Sequence, residues 1–505
     1  MRRSDYTADH LLRPHLKPKV IRARFDATQL GHENRNHWGA ADALGPNTAN
    51  DSHVRNTICR RTRLERENDP HFYGMGKANA YSFVGTGPRL QLSLDPELYE
   101  SARVFERLVT KWMRASNFAE KLRLMVECCP VDGEVFGQIV ENPTIQHPIK
   151  IDLKVMEQEQ VSTPGFNYFS ENKIDGIETD AYGNPTIYHV LKTHPGDDGT
   201  LGMEYDSVPA DAMLHWFRPY RPGQARGVSE FASSIETCAQ TRRYAKATLG
   251  KQEINANITG VIESENVMVG DETAPTFETM EEVDIPRQGL MTMPAGMKAK
   301  PFGTAENTTG FKEYMGMNYA AIGRPLNIPR NLITGDSSDF NFASGRMDHL
   351  PYQSGLWVDR DRIRIRVLDK LLKILYAAAS SLGLVPANLP RFSEWEWDWH
   401  WDGFASIDQV KDEAAREMRL KNGMSTLAEE CAAEGKDWRE VARQRATEAK
   451  FYKTLGLPDP YSIIAPPPAM PGDAPPDEQN DPPEVDAGYF DDTPLEPRRG
   501  RPAYV

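Results

Sequence analysis

A chain of 505 residues that is 39% apolar and 26% charged has room for two to four domains and the composition of a soluble protein. Its formal charge of −14 at pH 7 argues against a protein that grips nucleic acid tightly, because such grip comes from Lys and Arg neutralising phosphates and releasing counterions. The opening MRRSDYTADHLLRPHLKP is basic without an apolar run, and Lys370, Lys373 and Gly383 interrupt the most apolar stretch, so neither secretion nor a membrane span is expected.

Charge is uneven along the chain. Residues 1–24 hold seven Lys/Arg against two Asp, whereas residues 466–505 hold nine Asp/Glu against three Arg. That last stretch also has eleven prolines and almost nothing apolar to bury, which predicts disorder. Folding is expected to begin near Ala23. Periodic, charged runs predict helices over residues 52–69 and 95–116, the second with Leu98, Ala102, Phe105, Leu108, Val109 and Trp112 on one face. Between them Gly85, Gly87 and Pro88 mark a turn into a short strand over residues 89–94.

From Gly133 to Phe217 the pattern turns to β, with GEVFGQIVE, IKIDLKVME, an Asp-Gly turn in KIDGIETD and a Gly-Asn turn in DAYGNPTIYHVL, an antiparallel domain of hairpins. Beyond Gly227 the period lengthens. Phe231, Ile235, Cys238, Ala245 and Leu249 share a stripe, broken by Arg242, on a helix over residues 228–256 about 43 Å long. Short β-like pieces follow, then an amphipathic run with Phe311, Tyr314, Met315, Tyr319 and Ile322, ended by Gly323 and Pro325. The polar NIPRNLITGDSSDFNFASG leads into a helix over residues 345–382, with Ile363, Val367, Leu371, Ile374, Ala378 and Leu382 inward; its IRIRV also reads as strand. WEWDWHWD alternates strictly, which makes it a strand with one aromatic and one polar face. Three short helices close the fold, with capping boxes at Ser406/Gln409, Thr426/Glu429 and Asp437/Glu440.

Motifs for chemistry are thin. HENRNH has one residue too many for HExxH, which leaves His32 and His37 about 140° apart on a helix. Glu396, Asp398, His400 and Asp402 share the polar face of the Trp strand, but alternate residues on a strand sit about 6.6 Å apart, too far for four to close on one ion. A solvated face over packed tryptophans is the expected reading, with a metal-dependent hydrolase and a glycan-binding aromatic platform as competitors. There is no P-loop and no GxSxG, and Ser337 and Ser338 have no neighbouring His. Five cysteines form no CxxC and suit a reducing cytoplasm. No cofactor is expected.

Taken together, RARFDATQ with HWGAADAL, VRNTICRRTRLERENDPHFYG, VGTGPRLQ, DGEVFGQ, GIETDAYGNPTIYHV, VPADAMLHWFRPYRPGQARGVSEFA, LITGDSSDFNFASGRMDHL and the Trp-rich strand occur in an order that resembles the lambda-like family of tailed-bacteriophage portal proteins. RPGQARG and TGDSSDFNFASGR are the strongest pair. The resemblance implies an α+β fold with a β-rich wing, a two-helix stem, a small β clip and a helical crown. Laid on this chain, it implies a basic arm over residues 1–22, N-terminal helices and wing over 23–226, stem helices over 227–256 and 305–325, and a clip over 257–304. A tunnel-loop region (326–344), a return helix with the Trp-rich strand (345–404), a crown (405–457) and an acidic tail (458–505) complete it.

The resemblance further implies a structural protein rather than an enzyme. It would form a ring, expected to be a dodecamer, at one capsid vertex of the virion, assembled in the host cytoplasm. Its partners would be the terminase large subunit, the major capsid protein or scaffold, a head-tail adaptor, and double-stranded DNA passing without sequence specificity; no membrane is involved. Another virion structural protein, such as a head-tail adaptor or minor capsid protein, is the alternative. Asp336, Ser337, Ser338, Asp339 and Asn341 are the expected channel-facing residues of the tunnel loop. Arg242, Arg243, Lys246 and Lys312 are candidate phosphate contacts, with pairing to acidic residues of an adjacent subunit as the other reading.

Overall fold

A computed structural model describes residues 40–164, 173–197, 204–257, 261–264, 297–300, 309–404 and 409–461. The basic arm, HENRNH, most of the region expected as clip, Ser406 and residues 462–505 of the acidic tail lie outside the described residues. The chain divides into two units, Met1–Trp438 and Arg439–Val505.

The first unit opens with a helical layer: α1 (Pro46–Ala49), α2 (Ser52–Asn68), α3 (Pro70–Val84), then strand β1 (Arg89–Leu92), α4 (Tyr99–Ala115) and α5 (Phe118–Asp132). Asp51 caps α2 by accepting from Val54 N, and Asp69 caps α3 by accepting from His71 N and Phe72 N, with Pro70 in the first helical turn, where its missing N–H costs nothing. The expected faces of α4 hold: Ala102, Phe105, Val109 and Trp112 are buried. Helices α3 and α5 were not expected. On α5 the buried Phe118, Leu122, Met125, Val126 and Cys129 recur at helical spacing opposite Glu120, Arg123 and Glu127, a period the sequence reading passed over, whereas the exposed face of α3 carries Tyr73, Gly74 and Tyr81 in place of charge.

The β region forms two antiparallel sheets rather than one run of hairpins. β2 (Glu134–Glu141) lies between β3 (Ile151–Met156) and β8 (Met213–Phe217), so the strand last in sequence returns beside the first. β4 (Lys173–Ile174), β5 (Ile177–Thr179), β6 (Pro185–Leu191) and β7 (Tyr205–Pro209) form the second sheet in sequence order. Its hairpins turn at the expected places, with Gly176 at φ 83° and Gly183 at φ 83°. On the first sheet Val135, Leu153, Leu214 and Trp216 join the helical core. On its other face Phe136, Met156 and Met213 meet Ile177, Tyr188 and Val208 of the second sheet. Being covered on both faces is why MLHWF is buried at every position and shows no alternation.

A 3-10 turn, Glu230–Ser233, precedes α6 (Ile235–Asn257), so the helix begins later than expected: Ser229 accepts from Phe231 N and starts the chain in the tighter winding. β9 (Val261–Ser264) pairs with β10 (Met297–Lys300). α7 (Thr309–Gly323) and the short α8 (Arg330–Thr334) lead to α9 (Phe342–Ile363), a π-helical segment Arg364–Leu368, and α10 (Asp369–Ser381). IRIRV is therefore helical. A π turn inserts one residue, about 100° of rotation, and it moves the inward face from the expected Ile374, Ala378 and Leu382 to Leu372, Leu375 and Ala379.

β11 (Trp397–His400) pairs antiparallel with β1, Leu90 opposite Trp399. Trp395, Trp399 and Trp401 are buried, as alternation predicts, and the indoles of Trp397 and Trp399 both donate to Asp369 Oδ1, at 2.8 and 3.1 Å. Helices α11 (Gln409–Lys421) and α12 (Leu427–Ala433) close the unit, and Thr426 and Glu429 form the expected capping box. The second unit is described through α13 (Trp438–Thr454), where Arg445 lies 4.4 Å from the Tyr461 ring centroid.

Candidate nucleic-acid interface

Helices α6 and α7 lie side by side. Tyr244 stacks on Phe311 (centroids 5.7 Å, 21°) and meets Tyr314 edge-on at 4.7 Å. Burial fades along the pair. Cys238, Thr241, Tyr319 and Ile322 are enclosed, whereas Leu249 is 60% and Tyr314 44% exposed. At the enclosed end, the Tyr319 hydroxyl donates to Asp69 Oδ2 at 3.3 Å, and burial pushes its pKa upward.

The expected phosphate contacts separate into two kinds. Arg242 reaches Glu65 of α2 through two parallel bonds, Nε to Oε2 at 3.0 Å and Nη2 to Oε1 at 2.8 Å, and Glu65 is nearly buried. Lys312 faces Asp339 at 3.0 Å, Asp336 at 3.7 Å and Ser338 Oγ at 3.4 Å, and the Asp339 partner raises its pKa. Both cations thus have carboxylate partners within their own chain. Arg243 and Lys246 are exposed and form no ion pair with a described residue.

Residues 335–341 form the loop between α8 and α9. Asp336, Ser337, Ser338 and Asp339 are all exposed. Ser338 N donates to Asp336 Oδ1 at 2.9 Å, which draws the Asp336 pKa down, and Arg330 Nη2 holds Asp339 at 3.1 Å with its guanidinium 5.0 Å from the Phe340 ring centroid. Asn341, also exposed, caps α9 instead, accepting from Ser344 N at 2.8 Å while its own N–H donates to Ser344 Oγ at 3.1 Å. The loop is therefore fastened at its start to α7 through Lys312 and at its end to α9 through Asn341.

The polar face of the Trp strand does not gather into a metal site. Asp402 turns away to accept from Thr86 N at 2.6 Å and to pair with Arg89 at 2.7 Å. The one His/Cys/Asp/Glu group able to hold an ion among the described residues is Glu157, Glu159 and His194, and Arg63 Nη1 already sits 3.0 and 2.8 Å from both carboxylates.

RPGQARG forms a buried hub that sequence reasoning did not find. Arg226 Nε donates to Glu134 Oε1 at 2.7 Å, and its other nitrogens donate to the carbonyls of Gln158 and Val161, each at 3.1 Å, and of Asp175. Gly227 N and His215 Nε2 donate to Glu134 Oε2 at 2.8 and 2.9 Å, and Arg55 bridges Glu134 and Asp175. Burial alone would raise the Glu134 pKa. The Arg226 charge, the His215 hydrogen bond and Arg55 overcome it and hold the carboxyl well below the usual range. Burial pushes His215 below the ordinary imidazole value and, with the Arg226 charge, lowers Arg55 to about 9. The hub's only sequence signal is an Arg amid Gly and Gln.

The sequence profile of the lambda family of phage portal proteins matches residues 34–356, well over half of the chain. The chain belongs to this family. Portal relatives match at similar length: the probable portal protein of Halomonas phage phiHAP-1 is 24% identical over 390 residues, covering 71% of this chain and 72% of that one. Portal protein B of Escherichia phage lambda is 21% identical over 385 residues, covering 69% and 71%. Among solved structures, a chain from the neck of a native gene transfer agent particle computed with C12 symmetry is similar at a TM-score of 0.40 and 16% identity, covering 81% of this chain and 94% of that one. The chain is thus a phage portal protein, a structural component of the virion rather than an enzyme, with a mixed fold of helices and sheets.

Proposed function

We propose that the chain assembles head to tail into a closed ring, a dodecamer, at one capsid vertex, through which double-stranded DNA passes during packaging and ejection. Family membership carries this reading, and the α6–α7 pair supports it. A helix pair that leaves Leu249 and Met317 exposed gains burial when neighbours in a ring cover it. In this reading α6 and α7 form the stem, residues 257–304 the clip that docks the terminase large subunit, the two sheets belong to the wing, and α11 to α13 form the crown. Capsid or scaffold protein and a head-tail adaptor are the remaining partners, and assembly takes place in the host cytoplasm.

Asp336, Ser337, Ser338 and Asp339 face the channel, with Asn341 setting where the loop ends. Arg243 and Lys246, exposed and in no ion pair with a described residue, are the cations that would meet phosphate, while Arg242 and Lys312 already serve carboxylates of their own chain. A net charge of −14 suits a duplex that must slide. Electron micrographs of purified protein test the reading: rings of about 0.7 MDa are expected from twelve 56.9 kDa chains, and monomers under every assembly condition would overturn it.

A further inference from the structure

The helix that runs from α9 through the π segment into α10 carries a row of cations, Arg362, Arg366, Lys370 and Lys373, spaced by four, four and three residues. Arg362, Lys370 and Lys373 are exposed, and Arg366 is half-buried. The π segment packs against β8, where the Arg366 guanidinium lies 5.2 Å from the Phe217 ring centroid. Arg362 is answered by Asp359 at 3.1 Å, a carboxylate already held by Arg218 at 2.8 Å. Arg366, Lys370 and Lys373 form no ion pair with a described residue. Asp211 acts on Lys370 only from beyond ion-pair distance.

Like charges three and four residues apart on a helix repel. Partial burial lowers the pKa of Arg366 and of Lys370, and neighbouring cations add to it: Arg362 acts on Arg366, and Arg366 and Lys373 act on Lys370. The inward face of the same helix is supplied by Val367, Leu371, Leu372 and Leu375, so packing does not call for the row. An anion with several charges at short intervals relieves such crowding. Arg366 to Lys373 spans about 10 Å of helix, and each strand of a DNA duplex carries a charge about every 3.4 Å along its axis. A polypeptide reaches that density only in an unbroken acidic run. We propose that Arg366, Lys370 and Lys373 form a second contact for the phosphodiester backbone of double-stranded DNA, separate from Arg243 and Lys246 of α6 and reached by duplex outside the channel. The contact reads backbone charge and is independent of base sequence. Passage through the ring does not require it.

A relaxed closed-circular plasmid tests the contact, because a closed circle cannot thread an assembled ring. Retention of the plasmid on a filter by the full-length protein is measured across NaCl concentrations. For the natural chain, retention should fall steeply with salt. Replacing the two exposed lysines, Lys370→Gln with Lys373→Gln, should lower the log–log slope by about two units, and adding Arg366→Gln should lower it by about one more. Lys370→Arg with Lys373→Arg keeps the charges and should keep the slope. Arg243→Ser with Lys246→Ser should leave the plasmid slope unchanged. Plasmid retention that is absent, that is equal in the natural chain and the glutamine variants, or that is lost with the α6 pair instead, overturns the proposal. Displacement of the plasmid by poly-L-glutamate at equal charge assigns the row to an acidic polypeptide and overturns it too. Rings are counted separately by microscopy, so rings that form without holding plasmid reject this contact and leave the ring reading standing.

Discussion

Arg226 and Glu134 stand 92 positions apart in sequence and are joined by a 2.7 Å hydrogen bond in a setting where Glu134 is wholly shielded from solvent and Arg226 is 1% exposed. Their pairing ties the segment before α6 to the first strand of the wing-like sheets, while Arg55 and Asp175 bring in α2 and the β4–β5 turn. Truncating Glu134 leaves two guanidinium groups facing an empty site. Glu134→Ala should therefore cost about 3–5 kcal/mol, read from denaturant unfolding of the chain.

The same hub makes stability fall with acid. Glu134 titrates in the fold well below its ordinary value of 4.5 and His215 below its ordinary value of 6.5, so the unfolded chain binds more protons than the folded one in both windows. Stability should be full above pH 6.5, decline as His215 becomes protonated in the unfolded state, and drop further below 4.5 as Glu134 does the same. Melting midpoints across this range check it; Glu134→Gln should flatten the lower limb.

Gly227 lies where a Cβ would come within 2.1 Å of the Gly133 carbonyl oxygen, and Gly133 itself has φ 92°. Backbone cannot give way as a side-chain tip can. Gly227→Ala should yield insoluble protein or lower stability by more than about 2 kcal/mol, measured by soluble expression and unfolding.

The two kinds of stem cation should respond oppositely. Arg242→Ala strands the nearly buried Glu65 carboxylate and should lower stability by about 1–3 kcal/mol. Arg243→Ser and Lys246→Ser should leave melting unchanged but reduce the salt dependence of DNA retention, by about one unit of log–log slope for each contact removed. Equal effects of all three on DNA retention would contradict the division.

At the loop, Asn341→Ala should weaken the start of α9 by about 1 kcal/mol, detectable by hydrogen exchange, while Asn341→Asp preserves the cap. Lys312→Ala should leave global melting unaltered and increase exchange across residues 335–340, because Lys312 holds Asp336 and Asp339.

Local signals carried far along this chain. The Asp-Gly and Gly-Asn turns, the buried face of α4, the alternating tryptophans and the Thr426 capping box each depend on residues a few positions apart, and each can be read from sequence. The portal family was legible for a related reason, since it shows as ordered local segments. Tertiary contacts decided the rest. Helix α3 lacks a charged stripe because its exposed face carries Tyr73, Gly74 and Tyr81, and one π turn redirected the inward face of α10. That Arg242 and Lys312 are paired depended on Glu65, 177 positions before Arg242, and on the folding of the loop back onto Lys312. Charge pairing is fixed by distance in space, and no spacing in the sequence encodes it.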